Sequence, residues 1–225
     1  MKRITVLFAE DHAIVRAEFR KMLELESDLK VVGEARDGRQ AVALAKKLRP
    51  AVVLMDIAMP RLNGLEATRQ VLKALPATKV LILSAHSDDA YVKNAIESGA
   101  VGFLLKQTST HSVCQAIREV QKGNTFFSHS VAKHLHARNR RSPDRDGSRK
   151  PRNDHLSSRE AEVLLLIAEG NASTETAAGL GISVKAFEKH REMLMAKLDI
   201  HDIAGLTRYA IGAGIIENHV RLTII

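Results

Sequence analysis

The sequence predicts two dissimilar domains: an α/β N-terminal domain on a five-stranded, doubly wound parallel sheet, and an all-α C-terminal domain of four helices. Three observations carry this. Up to residue 123, short apolar runs rich in β-branched residues alternate with stretches whose apolar residues recur at helical spacing. A polar, basic segment then interrupts the chain. Beyond it only helical periodicity remains.

The N-terminal domain, 1–123, reads as five strand–helix units. ITVLFA at 4–9 precedes the helical AIVRAEFRKMLE, and KVVGEA at 30–35 precedes GRQAVALAKKL. VVLM at 52–55 leads to GLEATRQVLKAL, KVLILS at 79–84 to DAYVKNAIES, and GFLL at 102–105 to TSTHSVCQAIREVQKG. Strands this continuously apolar have no face fit for water, so helices must cover both sides of the sheet through right-handed crossovers.

The segment 124–154 reads as a flexible linker. Between 134 and 155 it runs HLHARNRRSPDRDGSRKPRNDH, too polar to bury a core. His134 and His136 lack cysteines or carboxylates at zinc spacing and read as solvated side chains. The C-terminal domain, 155–225, opens with SSREAEVLLLIAEG, in which Ser157 and Glu160 stand in capping-box register and Gly170 is a helix stop. STETAAGLGIS, VKAFEKHREMLMAKL and DIAGLTRYAIGAG supply three more helices.

Hydrophobic residues make up 45% and charged residues 27% of the chain, and no apolar run approaches the roughly 18 residues of a membrane span. A soluble, cytoplasmic protein without membrane contact is expected. The opening MKRITVLFAEDH meets acid after the six residues ITVLFA, short of a secretory core of about 7–15 apolar residues. The single cysteine, Cys114, reads as a small buried hydrophobe. The net charge of +8 is unevenly spread. Residues 1–123 carry 19 basic and 14 acidic side chains, 124–155 carry 8 and 3, and 156–225 carry 7 and 9.

Chemistry is concentrated where strands end. In an open parallel sheet, ligands bind beyond the carboxyl ends of the strands. Glu10 and Asp11 follow the first strand and Asp56 the third. If those strands are neighbours, three carboxylates converge and repel unless a cation joins them; all-oxygen ligands suit Mg²⁺. Lys106 closes the fifth strand and Ser84 the fourth, so both reach the same mouth. Asp56 is the candidate phosphoryl-accepting nucleophile, Glu10 and Asp11 hold the metal, and Ser84 and Lys106 bind the phosphoryl oxygens.

FAEDHAIVR, LMDIAMPRLNGLEA, LILSAH and GAVGFLLK, in this order and spacing, make residues 1–123 resemble the receiver domain of bacterial two-component response regulators. The resemblance implies a flavodoxin-like (βα)5 fold, phosphorylation of Asp56 by a sensor histidine kinase, and Mg²⁺ at Asp11, Asp56 and the Ala58 carbonyl with Glu10 in support. It also implies a switch pair, Ser84 and Phe103, although Phe103 reads equally as core. Gln107 departs from the Pro or Asp common at that position in relatives.

NASTETAAGLGISVKAFEKHREMLMAKL reads as a helix-turn-helix, turning at Gly181 and Ile182 and capped by Ser183. With LSSREAEVL and RYAI it resembles the LuxR-type (NarL/FixJ-like) output domain of the same regulators. That resemblance implies double-stranded DNA as partner, read by Lys185, Lys189, His190 and Arg191. Residues 156–225 are net acidic, however, and Glu192 adds negative charge beside those contacts. Weak binding by an isolated monomer is therefore expected, with linker residues Arg138, Arg140, Arg141, Arg149, Lys150 and Arg152 supplying part of the attraction to DNA or serving only as a solubilising tether.

The expected function is a phosphorylation-gated transcription regulator that forms a homodimer when phosphorylated. DIAGLTRYAIGAG has small residues suited to helix contact between copies, or to burial within its own domain. An output domain that binds protein rather than DNA is the alternative. Turnover of a separate substrate is not expected: a phosphohydrolase of the haloacid dehalogenase kind needs an acid at position 58, which is alanine, and no G-x-x-x-x-G-K-[ST] loop occurs.

Overall fold

The computed structural model describes residues 3–85, 89–127, 156–213 and 215–216. The basic residues of 138–152, His134 and His136 lie outside the described residues. Five strands form the first domain: β1 Ile4–Ala9, β2 Leu29–Ala35, β3 Val52–Asp56, β4 Lys79–Ser84 and β5 Gly102–Leu105. All pair in parallel, in the order β2-β1-β3-β4-β5. Between and after them run α1 Ala13–Glu24, α2 Gly38–Leu48, α3 Gly64–Ala74, α4 Asp89–Glu97 and α5 Thr110–Gln121.

Alternation along the buried strands sends side chains into two cores. Leu7, Val53, Met55 and Ile82 pack with α2, α3 and α4, whereas Val6, Phe8, Leu54 and Leu83 pack with α1 and α5. This is the doubly wound arrangement. Cys114 is fully buried in the second core. Side-chain caps fix the helix starts next to the sheet's carboxyl edge: Asp37 accepts from the Gln40 amide at 2.7 Å and Asn63 from the Glu66 amide at 2.8 Å.

The second domain comprises α6 Ser158–Ala168, α7 Ser173–Leu180, α8 Val184–Leu198 and α9 Ile203–Gly212. Ser157 and Glu160 form the reciprocal capping box. Gly181 ends α7 at φ +64, a left-handed conformation in which a Cβ would be strained, and Ser183 caps α8. Phe187 and Leu194 anchor α8 in a core with Val163, Leu164, Leu206 and Ala210. The Phe187 ring is fully accommodated, 2% exposed. Among the described residues no helix is long and apolar enough to cross a membrane.

Candidate functional site: the carboxyl edge of the sheet and the outer face of α8

Strand order reverses between β1 and β3, which pair Ala9 with Met55. At such a switch point the connections leave in opposite directions and open a crevice. Glu10 and Asp56 therefore emerge side by side, and both are fully buried. Lys106 arrives from β5, its own amide donating to the Ser84 carbonyl at 2.8 Å. Its ammonium lies 2.9 Å from Glu10 Oε2 and 2.9 Å from Asp56 Oδ2. One cation thus joins two buried carboxylates.

The electrostatics follow from that placement. Burial alone would raise the Glu10 carboxyl, but the Lys106 ammonium overrides it and holds Glu10 below the ordinary range. Burial would likewise lower Lys106, and Asp56 and Glu10 carry it above its usual value instead. At Asp11 burial, then the neighbouring Glu10, pushes the carboxyl up. Carboxylate oxygens of Glu10 and Asp11 come close together at this mouth, and oxygen donors of that kind fit a hard divalent ion.

Two residues that the sequence reading did not use complete the acidic pair. His12 Nδ1 lies 3.0 Å from Glu10 Oε1 and 2.8 Å from Asp11 Oδ1, and the contact with Glu10 raises its pKa. Glu10, Asp11 and His12 make a group of close potential ligand atoms. Arg16, one turn into α1, donates through Nη1 to the carbonyls of Glu10 at 2.7 Å and Asp11 at 3.0 Å, fixing the backbone that presents both acids. The HAIVR spacing places Arg16 there, a signal visible only once the helix direction is known.

The loop after Asp56 is tightly constrained. Ile57 donates to the Leu83 carbonyl, Arg61 adopts φ +68, and Gly64 donates to the Ile57 carbonyl at 2.9 Å. A Cβ on Gly64 would stand 1.8 Å from the Asp56 carbonyl oxygen, so only glycine lets α3 start this close. Ala58 sits within this loop, half-buried. Ser84 is buried at the end of β4, and Phe103 packs in the core with Ile82 and Tyr91.

On α8 the structure separates the four sequence candidates. Lys185 and Lys189 are exposed along one stripe that also carries Glu192 and Met193. His190 and Arg191 are half-buried, and Arg191 is tied to Glu188 at 2.5 Å. Lys197 holds α8 to the start of α6 by its 2.7 Å bond to Glu160.

Comparison with known proteins gives two family matches: the response regulator receiver domain over residues 6–118 and the luxR family of bacterial regulatory proteins over residues 154–210. The chain is 34% identical over 214 residues to the response regulator protein VraR of Staphylococcus aureus, covering 95% of this chain and 99% of that one. A two-component response regulator of the LuxR family from Aurantimonas is 30% identical, with a TM-score of 0.57 over 61% of this chain and 99% of its own. RcsB of Salmonella enterica serovar Typhimurium, solved bound to promoter rprA in the presence of the phosphomimetic BeF3-, is 25% identical with a TM-score of 0.57, covering 92% of this chain and 98% of its own.

Proposed function

We propose, for a chain that belongs to the two-component response regulators with a receiver domain and a LuxR-type DNA-binding domain, that Asp56 is the phosphoacceptor and that its phosphorylation drives dimerisation on DNA. The observation that carries this is the Lys106 ammonium 2.9 Å from Asp56 Oδ2, at the edge where the paired strands β1 and β3 end side by side.

A sensor histidine kinase supplies the phosphoryl group. The P–N bond to the kinase imidazole breaks, a P–O bond to an Asp56 carboxylate oxygen forms, and the imidazole leaves to take a proton from water. Asp56 needs no general base because it is already a carboxylate. Lys106 turns from the carboxylate toward the new phosphoryl oxygens, and Ser84 offers them its hydroxyl. Receiver domains generally bind Mg²⁺ at an acidic pocket; here Glu10, Asp11, Asp56 and the Ala58 carbonyl would hold it, and it would neutralise charge on the transferring group. The chain turns over no separate substrate.

DNA binding belongs to α8. Lys185 and Lys189 meet phosphates or base edges, and the nearby Glu192 lowers the affinity of one copy, so two copies on adjacent half-sites are required. RcsB bound to promoter DNA supports that use of the fold. Intact mass after treatment with a small phosphodonor and Mg²⁺ tests the centre of this reading: one phosphoryl group on the wild type and none on Asp56→Asn is expected. Equal modification of both chains would end it. Sizing and gel retardation of the same samples test dimerisation and DNA binding.

A further inference from the structure

One acid on α8 has no task within the fold. Glu192 is exposed on the stripe that also carries Lys185, Lys189 and Met193. Other acids of this domain are occupied: Glu160 holds Lys197, Glu162 holds Arg159 and Glu188 holds Arg191. Among the described residues no ion pair reaches Glu192, Lys185 or Lys189. Its place along the helix does not favour it either. Glu192 lies in the second half of Val184–Leu198, far from the N-terminal turn where the helix dipole steadies an acid, and Glu188 stands four residues back as a like charge. An acid that helps neither its helix nor its domain, and that repels DNA phosphate, calls for a partner outside the chain.

We infer that Glu192 reads a base: its carboxylate accepts from the N4 amino group of a cytosine in the major groove, while Lys189 donates to a guanine O6 or N7 beside it. This rests on the use of α8 as the DNA-facing helix proposed above. A carboxylate only accepts, so it needs an edge that only donates. Cytosine alone shows a donor and no acceptor in that groove. Adenine sets its N6 donor beside the N7 acceptor, and guanine and thymine present acceptors that repel an acid. Lys189 is the complement, with three donors and no acceptor, and guanine offers it two acceptors. Three residues along a helix rise about 4.5 Å and consecutive base pairs stand about 3.4 Å apart, so the two side chains fall on one pair or on neighbouring pairs.

Glu192 thereby raises discrimination at the expense of affinity. Phosphate repels it on every duplex, and over any base but cytosine it also faces an acceptor. Only a cytosine offsets the repulsion with a hydrogen bond that meets no competing acceptor on the same base. Arg191 takes no part in this reading, since its guanidinium is tied to Glu188 at 2.5 Å.

The test incubates the full chain, with phosphodonor and Mg²⁺ at low salt, with duplexes carrying a randomised stretch, and sequences the duplexes retained. Wild type should enrich cytosine over adenine about tenfold at one position of each half-site. Glu192→Gln should move that preference to adenine, because an amide both accepts and donates and so matches N6 together with N7. Glu192→Ala should flatten the position and leave the others unchanged. Circular dichroism checks that each variant is folded, as substitution of an exposed side chain should allow. If both variants bind every duplex more tightly with the wild-type base preferences intact, Glu192 acts through charge alone and the assignment is wrong. A wild type that retains duplex without enriching any sequence is equally fatal to it. Lys189→Ala should weaken the preference at the same pair or the next, and a variant that keeps every preference refutes the guanine contact. A wild type that retains no duplex at all refutes DNA binding itself, and this inference with it.

Discussion

Lys106 and Asp56 stand 50 residues apart in the chain, and their charged atoms are 2.9 Å apart across the carboxyl edge of the sheet. The same ammonium serves the buried Glu10. Replacing Lys106 with methionine therefore leaves two desolvated carboxylates facing one another. In metal-free buffer at neutral pH the variant should lose about 3 kcal/mol, the usual cost of removing one partner from a buried pair. Mg²⁺ should restore part of that loss and should stabilise the variant more than the wild type. Urea unfolding with and without Mg²⁺ reads both effects; a variant indifferent to Mg²⁺ contradicts the account of this site.

Gly64 and Gly179 should respond to alanine in opposite directions. At Gly64 the new Cβ would meet the Asp56 carbonyl at 1.8 Å, so the loop must shift, at a cost of about 1–3 kcal/mol in stability and with slower phosphorylation of Asp56. At Gly179, inside α7, nothing lies within 4 Å and no positive φ is required. Alanine there should stabilise by about 0.4–1 kcal/mol by restricting the unfolded chain. Denaturant midpoints compare the two; a neutral Gly64→Ala would show the approach to be looser than described.

Acid should weaken the joint between α5 and the β2 entry. The Arg118 guanidinium donates to both oxygens of Asp28, at 2.8 and 2.7 Å, and to Glu26. Its hydrogen bond holds the Asp28 carboxyl below the unfolded value of 3.8. Because the folded pKa is depressed, this contribution is complete above the unfolded pKa and disappears as pH falls through the folded one. Asp28→Asn should therefore be less stable than wild type at pH 6, with the difference shrinking below 3.8. A gap that stays constant down to pH 2 would assign the effect to packing rather than charge.

On α8, single alanines at Lys185 and Lys189 should each reduce the salt slope of binding to a nonspecific duplex by about 0.9, one phosphate neutralised per lysine. Arg191, held by Glu188 at 2.5 Å, should change it less, and Glu192→Gln should tighten binding. Fluorescence anisotropy across a salt series measures all four. A larger drop for Arg191→Ala than for either lysine would reverse the assignment of the DNA-facing stripe.

Most of the secondary structure was legible because short-range rules decide it. Strand runs such as KVLILS and GFLL match their observed spans, and Ser157, Gly181 and Ser183 mark helix ends through bonds made within a few residues. β2 begins at Leu29, one residue before the expected KVVGEA, because Leu29 pairs with Ile4; β3 extends to Asp56, because that acid pairs with Leu83. Pairing, not propensity, set those ends.

By itself the sequence determined the elements, their caps and the residue types that collect at the strand ends. Tertiary structure decided that β1 and β3 are neighbours, and so that Glu10, Asp56 and one lysine share a site while His12 and Arg16 support it. It also decided which side of α8 faces water and that Asn63 serves two domains at once. Periodicity and capping act over one turn or one pleat and are written locally. Bonds between positions such as 63 and 215 depend on how whole layers settle against each other, which no local pattern encodes.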